Sequence, residues 1–305
     1  MRAGLAILAM IAAMAAMGTF LWPGLFFRSP LFFFLFILLF LQMTFCGLSN
    51  LRRWRSLRLR AFALFCLHAG VLLILAGGGV NAKFGLTATL PLQAGEEGDA
   101  AAALGLTGGE PLWLRLNSFE TEFYADGSPL QYYTRLTART AGSSRTAEIS
   151  VNHPFAINGV KIYQQSFGYL FWVREDGDGE TRAFRLGENI PLQGEATLEI
   201  YHYIPAFDER AAVDTGRLRP DNPRIVYLLR EGETGVSMRL AAPGERLEIG
   251  GNTLIFERVD MYTVLRLKTD PGLVPAACGA VALMAGICLG FIGIYVPGGS
   301  RSPLP

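Results

Sequence analysis

The sequence predicts a polytopic membrane protein with four transmembrane α-helices. A large β-rich domain, sandwich- or barrel-like and extracytoplasmic, is inserted between the third and fourth helices. Charge segregation is the first observation behind this. All 26 acidic residues fall between Glu96 and Asp270. Nineteen of the 27 basic residues share that block, giving it a net −7 and leaving +8 on the two flanks. Acid-free apolar flanks around a charged middle fit a membrane protein with one soluble domain. The second observation is Ala61–Gly79, AFALFCLHAGVLLILAGGG, which carries no formally charged side chain apart from the titratable His68. About 19 residues at 1.5 Å of helical rise cover roughly 28 Å, close to the hydrocarbon thickness of a bilayer. The third is the period-two alternation that fills the middle block, where no sustained 3.6-residue period occurs.

Taken in order, residues 1–80 hold three predicted spans. Residues 3–21 form the first, read as a retained helix in preference to a cleaved signal peptide. Residues 31–47, rich in Phe and Leu, form the second, and residues 61–79 the third. Between the last two lies Leu51–Arg60, LRRWRSLRLR, with five arginines. Short Arg-rich loops stay in the cytoplasm, which places the N-terminus inside, Trp22–Pro30 outside, and residues 81–270 outside. Residues 271–305 supply the fourth span, about 273–296, and a short cytoplasmic tail. In that span Gly279, Gly286, Gly290 and Gly293 recur on one side, with Gly286–Gly290 a GxxxG. Small residues let helices approach closely in lipid, either a partner's helix or one of this chain.

Within 81–270, alternating stretches predict strands at 112–116, 119–123, 130–140, 147–151, 155–157, 160–163, 169–174, 182–186, 197–203, 224–230, 236–240, 253–259 and 263–268. Asp126-Gly127 and Asn158-Gly159 are turn signals. Residues 94–109 and 206–223 read as loops.

Several function classes are excluded or weakened. The soluble block has no basic patch for nucleic acid. The cysteines, Cys46, Cys66, Cys278 and Cys288, all fall in predicted spans and form no CxxC pair, which disfavours a disulfide framework, a zinc site or a thioredoxin-like role. No GxSxG, HExxH, P-loop or dinucleotide fingerprint is present. Glu175–Glu180 packs four carboxylates into six residues, without EF-hand spacing, and reads as a solvated hairpin turn. His153, in Val151-Asn152-His153-Pro154, reads as a turn residue. His202 sits on a strand where Tyr201 and Tyr203 are expected to face the opposite side.

His68 stands apart. A titratable side chain inside a spanning helix is costly and marks a functional site by default. Its helical neighbours Leu64, Phe65, Val71 and Leu72 are apolar, so the ring is expected to be neutral. A neutral imidazole in an apolar wall suits an axial ligand to haem iron; the alternative is a histidine hydrogen-bonded to a backbone carbonyl on a neighbouring helix.

Five stretches resemble the ResB-like family of cytochrome c biogenesis proteins (Ccs1 in plastids). They are Arg28–Phe33 running through the second helix to Cys46 and Arg52-Arg53; Phe119–Gly127, FETEFYADG; Val151–Pro154; Gly159–Gly168, GVKIYQQSFG; and Asn222-Pro223 with Thr269–Gly272. The resemblance implies the following. The chain is a non-catalytic subunit of a System II haem lyase in the cell inner (cytoplasmic) membrane. Haem is its transported cargo, His68 an axial ligand near the cytoplasmic entry, and apocytochrome c the acceptor. The partner is a Trp-rich polytopic protein of the ResC/CcsA type, because this chain has only four tryptophans and no Trp-rich segment. A scaffold that never touches haem, or a membrane-anchored sensor or solute-binding domain, are the alternatives. Tyr163, Gln164 and Ser166 are expected to be a structural signature and are assigned no catalytic role.

Overall fold

The computed structural model describes residues 6, 9–14, 16–17, 29–51, 59–106, 108, 110–175, 180–192, 196–231, 235–249 and 251–295. Most of the first predicted span, and 52–58 of the arginine loop, lie outside these. The chain divides into two compact units, Met1–Gly85 with Asp270–Pro305, and Leu86–Thr269.

The first unit is helical. Helix α1 spans Pro30–Leu51 and α2 spans Leu59–Phe84. After the short α3 (Ala100–Ala103) of the other unit, α4 spans Leu273–Tyr295. Helix α2 runs five residues past the predicted end at Gly79, because Val80–Phe84 contains neither proline nor a polar break strong enough to stop it. Two described helices are long and apolar enough to cross a membrane, Phe62–Phe84 and Leu273–Ile292, each with mean hydropathy 2.1. Only 22% and 11% of those windows are buried. The described apolar part of α1, Phe34–Phe45, is shorter than a span. Of the four expected spans, two correspond among the described residues to a helix long and apolar enough to cross a membrane.

The second unit is β-rich, and two long strands organise it. Strand β7 (Val160–Glu175) pairs antiparallel with β16 (Asn252–Thr269) along nearly its whole length. They centre a six-stranded sheet of β1 (Thr87–Leu92), β16, β7 and β6 (Phe155–Ile157), with β15 (Arg246–Ile249) also on β16 and β8 (Thr181–Arg185) also on β7. A four-stranded sheet of β2 (Glu97–Asp99), β3 (Trp113–Phe123), β4 (Pro129–Arg139) and β5 (Ser144–Ser150) shares one core with the proximal half. There Leu114, Leu116, Leu136 and Ile149 meet Ile162, Leu265 and Leu267. A second four-stranded sheet shares the other core with the distal half. It contains β14 (Gly235–Ala241), β13 (Arg224–Glu231), β10 (Ala196–Ile204) and β9 (Asn189–Pro191). Its Leu198, Ile200, Ile225 and Leu229 meet Phe171, Val173, Leu254 and Phe256. The described strands form no closed barrel.

Strands expected as separate pieces are continuous. Residues 160–163 and 169–174 both belong to β7, and 253–259 and 263–268 both to β16. Bulges explain the misreading. The β7–β16 register shifts between Val264 and Leu265, where Gln165 is the extra residue, and between Phe256 and Arg258, where Glu257 is. An extra residue flips the parity of every side chain beyond it. The buried positions on β7 thus change from Val160 and Ile162 to Phe171 and Val173. Gly168 lies beside the first bulge because the Tyr262 ring covers it, leaving no room for a Cβ. The predicted loop 94–109 contains β2 and α3, capped by Asp99, whose Oδ1 accepts from Ala101 N and Ala102 N at 2.9 and 3.0 Å. The predicted loop 206–223 holds the two-residue strands β11 (Phe207–Asp208) and β12 (Val213–Asp214).

Candidate functional site

Helices α2 and α4 pack backbone to backbone. A Cβ built on Gly70 would lie 2.6 Å from Leu283 N and 2.7 Å from the Gly279 carbonyl. One on Gly286 would lie 2.7 Å from Leu67 N and 2.9 Å from the Ala63 carbonyl. One on Gly77 would lie 2.6 Å from the Gly272 carbonyl, and one on Gly272 would overlap the carbonyl of Gly77. Ala63, Gly70 and Gly77 therefore face Gly286, Gly279 and Gly272, an antiparallel seam with a seven-residue step on both sides. That step is the period of a left-handed helix pair. Small residues at these positions let the two backbones approach closely, so van der Waals packing holds the pair. Gly279 and Gly286 are therefore occupied by this chain's own helix. Gly290 has nothing within 4 Å, because its counterpart on the seam would fall at Leu59, where α2 begins.

His68 precedes Gly70 by two residues, about 200° around the helix, so it lies on the side of α2 away from the seam. Its ring is half-buried. Nδ1 lies 2.8 Å from the carbonyl oxygen of Leu64, one turn earlier on the same helix. A carbonyl can only accept, so in the neutral ring Nδ1 carries the proton and donates it there, and Nε2 keeps its lone pair. The acceptor is a carbonyl of its own helix and not of a neighbouring one, and it occupies one ring nitrogen while leaving the other as a base or ligand. Metal-bound histidines are held in this way, with the second ring nitrogen bonded to a carbonyl that sets the tautomer. By helical spacing Leu64, Phe65 and Leu72 share that face of α2 with His68. This donor set fits haem iron through Nε2, with apolar side chains against a macrocycle.

The other candidate residues are dispersed. His153 is exposed in the turn after β5, with Nδ1 3.2 Å from Val151 O and 3.4 Å from Ser150 Oγ. His202 is exposed on β10, its Nε2 3.9 Å from Asp214 Oδ2. The expected opposition between His202 and Tyr201 does not hold. A bulge between Ile200 and His202 leaves both exposed, while Tyr203 is buried. Of the acidic run, 176–179 lie outside the described residues. Among the described residues no cluster of His, Cys, Asp and Glu is arranged to hold a metal ion. Cys66, Cys278 and Cys288 are free thiols.

The GVKIYQQSFG run has a structural account. The Gln164 Oε1 accepts from both Thr134 Oγ1 and Thr263 Oγ1 at 2.6 Å, and its Nε2 donates to the Ser166 carbonyl at 2.9 Å. Both threonines are fully buried. One amide thus ties β4, β7 and β16 together at the bulge. Gln164→Ala strands two buried hydroxyls, each costing about 1–3 kcal/mol. The expected result is a clear loss of stability in urea unfolding of the detergent-solubilised chain, followed by tryptophan fluorescence.

From this node a run of rings links the two cores. Phe119 stacks on Tyr132 at 6.1 Å, Tyr132 meets Phe167 at 5.2 Å, Phe167 meets Tyr169 at 5.8 Å, and Tyr169 meets Tyr203 at 4.5 Å. Burial pushes the hydroxyls of Tyr169 and Tyr203 up to about 12. An unfolded tyrosine ionises near 10, so between about pH 10 and 12 the unfolded chain releases protons that the folded chain keeps. Stability from these two rings is complete below pH 10 and falls as pH rises through that window. A spectrophotometric titration should show two tyrosines silent until the chain unfolds in alkali.

Residues 56–248, well over half of the chain, match the model of the ResB-like family. The chain belongs to the ResB-like family. It is 27% identical over 244 residues to cytochrome c biogenesis protein CCS1, chloroplastic, of Arabidopsis thaliana, covering 76% of this chain and 44% of that protein. It is 24% identical over 241 residues to cytochrome c biogenesis protein CcsB of Gloeobacter violaceus, covering 74% of this chain and 49% of that protein. This ResB-like chain spans about half the length of the curated relatives it matches. The family match includes α2 with His68, and Gln164 with Thr134, but it ends before Thr263 and α4. Sequence reasoning missed the α2 half of the seam, Gly70 and Gly77, although the two glycines are seven residues apart in plain view. It also missed Thr134 and Thr263, for which no local signal exists.

Proposed function

We propose that this chain is a membrane subunit of a System II cytochrome c maturation complex, handling haem as cargo through His68. The bond from Nδ1 to the Leu64 carbonyl carries the reading, because it leaves Nε2 as the nitrogen free to ligate iron. Helices α2 and α4 hold the chain in the inner membrane. Their seam fixes α2, and with it the direction in which His68 points. His68 takes up haem arriving from the cytoplasmic side. The β-rich unit lies outside the membrane and presents or shields the outer site, where haem is joined to the thiols of apocytochrome c. A polytopic, Trp-rich partner of the ResC/CcsA type supplies the groups for attachment that this chain lacks. The relatives' names, the apolar helices and the acid-free flanks support this placement.

The chain's own contribution is positional. The Leu64 carbonyl one turn away holds Nδ1, and helical spacing puts Leu64, Phe65 and Leu72 on the same face of α2. Haem, when bound, supplies the iron and the vinyl groups that react with thiols. In a host deprived of its own copy, His68→Ala is expected to lower covalently bound haem on cytochrome c by at least about tenfold, in the range seen when a metal site is disturbed. The variant should still accumulate in the membrane. Full maturation by His68→Ala would instead support the scaffold reading.

A further inference from the structure

We propose that the β-rich unit is a hinged pair of lobes, bending at the waist of the β7–β16 ribbon and held closed by a clasp between Gly127 and Arg217. Two cores flank that waist. Ile162 pairs with Leu267 and Phe171 with Val259, and β16 has no extra residue between those partners. Paired residues share a face, so Ile162 and Phe171 point the same way. Both four-stranded sheets therefore lie side by side on one face of the ribbon, one on each core. Among the described residues no strand of β2–β5 packs extensively against β9, β10, β13 or β14. The lobes are joined by the ribbon, by the row of rings from Phe119 to Tyr203, and by one contact at the surface.

That contact is the clasp. The turn of the β3–β4 hairpin, Tyr124–Ser128, reaches the loop between β10 and β13. A Cβ built on Gly127 would lie 3.2 Å from Arg217 Cδ and 3.3 Å from Arg217 Cβ. Arg219 N donates to the Gly127 carbonyl at 3.4 Å. Gly127 is buried there, while Tyr124, Ala125, Asp126 and Arg217 are exposed. A segment with so few buried apolar contacts opens at low free energy. The ribbon can bend where the lobes part. The bulge at Gln165 lies at the edge of the first core, and Gly168 follows within the waist. A bulge interrupts the ladder and bends its strand, and a glycine inside a strand weakens it. Three of the stretches that resemble the ResB-like family converge here. Phe119–Gly127 supplies the first ring and the glycine of the clasp, and Gly159–Gly168 the bulge and Phe167. Asn222-Pro223 ends the loop, with Asn222 N donating to the Pro205 carbonyl at 3.3 Å. The device does not depend on haem ligation by His68.

The test is hydrogen–deuterium exchange of the full solubilised chain, read by mass spectrometry. Amides of the waist, 165–170, should exchange faster than those of the core strands at 114–116 and 198–200. Arg217→Ala opens the clasp without touching the ribbon. It should speed the waist by about fivefold, the effect of losing one exposed contact, while the core strands keep their rates. Gly127→Cys with Arg217→Cys sets two Cβ atoms 3.3 Å apart, next to the range of about 3.5–4.5 Å found in disulfides. Gly127 has a φ of +84°, where a cysteine is strained, so the reduced pair is the reference for the oxidised one. Oxidation should slow the waist and a reductant should restore it, with the parent under the same oxidant controlling for Cys66, Cys278 and Cys288. A waist that exchanges as slowly as the cores in the parent, or that ignores Arg217→Ala, overturns the proposal. So does a cysteine pair that never forms its disulfide, or one whose disulfide leaves the waist unchanged. Core strands that speed up together with the waist in Arg217→Ala would mean general destabilisation and overturn it as well.

Discussion

Gly279→Leu is expected to disrupt the helical unit, with a loss of about 4 kcal/mol or more, at the upper end for single substitutions. A Cβ there would sit 2.7 Å from both the Gly70 carbonyl and Ile74 N. Those are backbone atoms, which cannot swing aside as a side-chain tip can. The helices must separate, and every contact along the seven-residue seam weakens together. In lipid no hydrophobic gain compensates, since a tail is as apolar as the leucine. The expected result is a large drop in the thermal midpoint of the detergent-solubilised chain and in its steady level in membranes. Gly290→Leu, only 11 residues further along α4, meets open space and should stay within about 0.5 kcal/mol of the parent. A comparable loss for both variants would mean that the spacing of the seam is wrong.

The second large effect concerns His68. Replacing it with alanine removes the nitrogen proposed as the ligand. Affinity for haem should fall by about 10–100-fold at least, the cost already met when only a metal ligand's outer partner is lost. His68→Gln keeps a side chain that can bond the Leu64 carbonyl, but it offers iron no imidazole. A merely structural histidine would tolerate that change far better than alanine; a ligand would lose haem in both. The comparison separates the two roles because it holds the carbonyl bond roughly constant while changing only what faces the iron.

Much of this architecture is written locally in the chain. Runs without charge mark α2 and α4, and the position of Asp and Glu alone divides the helical from the β-rich unit. Asn158-Gly159 foretells the turn between β6 and β7. What failed to show were features in which two distant stretches complete each other. The bulges at Gln165 and Glu257 flip the alternation, so two strands of 16 and 18 residues read as four short ones. Tyr201 misleads for the same reason. Gly279 and Gly286 announced a close approach, but only the fold names Gly70 and Ala63 as what approaches. Likewise Gln164 stands inside a recognisable motif, while the two threonines it joins lie 30 and 99 residues away. His68 was legible as an imidazole in an apolar helix, but its choice of nitrogen was not, since that depends on a rotamer reaching back to Leu64.

The most direct measurement is the visible spectrum of the purified chain loaded with haem, for the parent, for His68→Ala, and for His68→Ala supplied with imidazole. Coordination through Nε2 predicts a Soret band in the parent, its loss or shift in the variant, and its return when free imidazole fills the gap. An identical spectrum in parent and variant, unmoved by imidazole, would contradict haem ligation by His68.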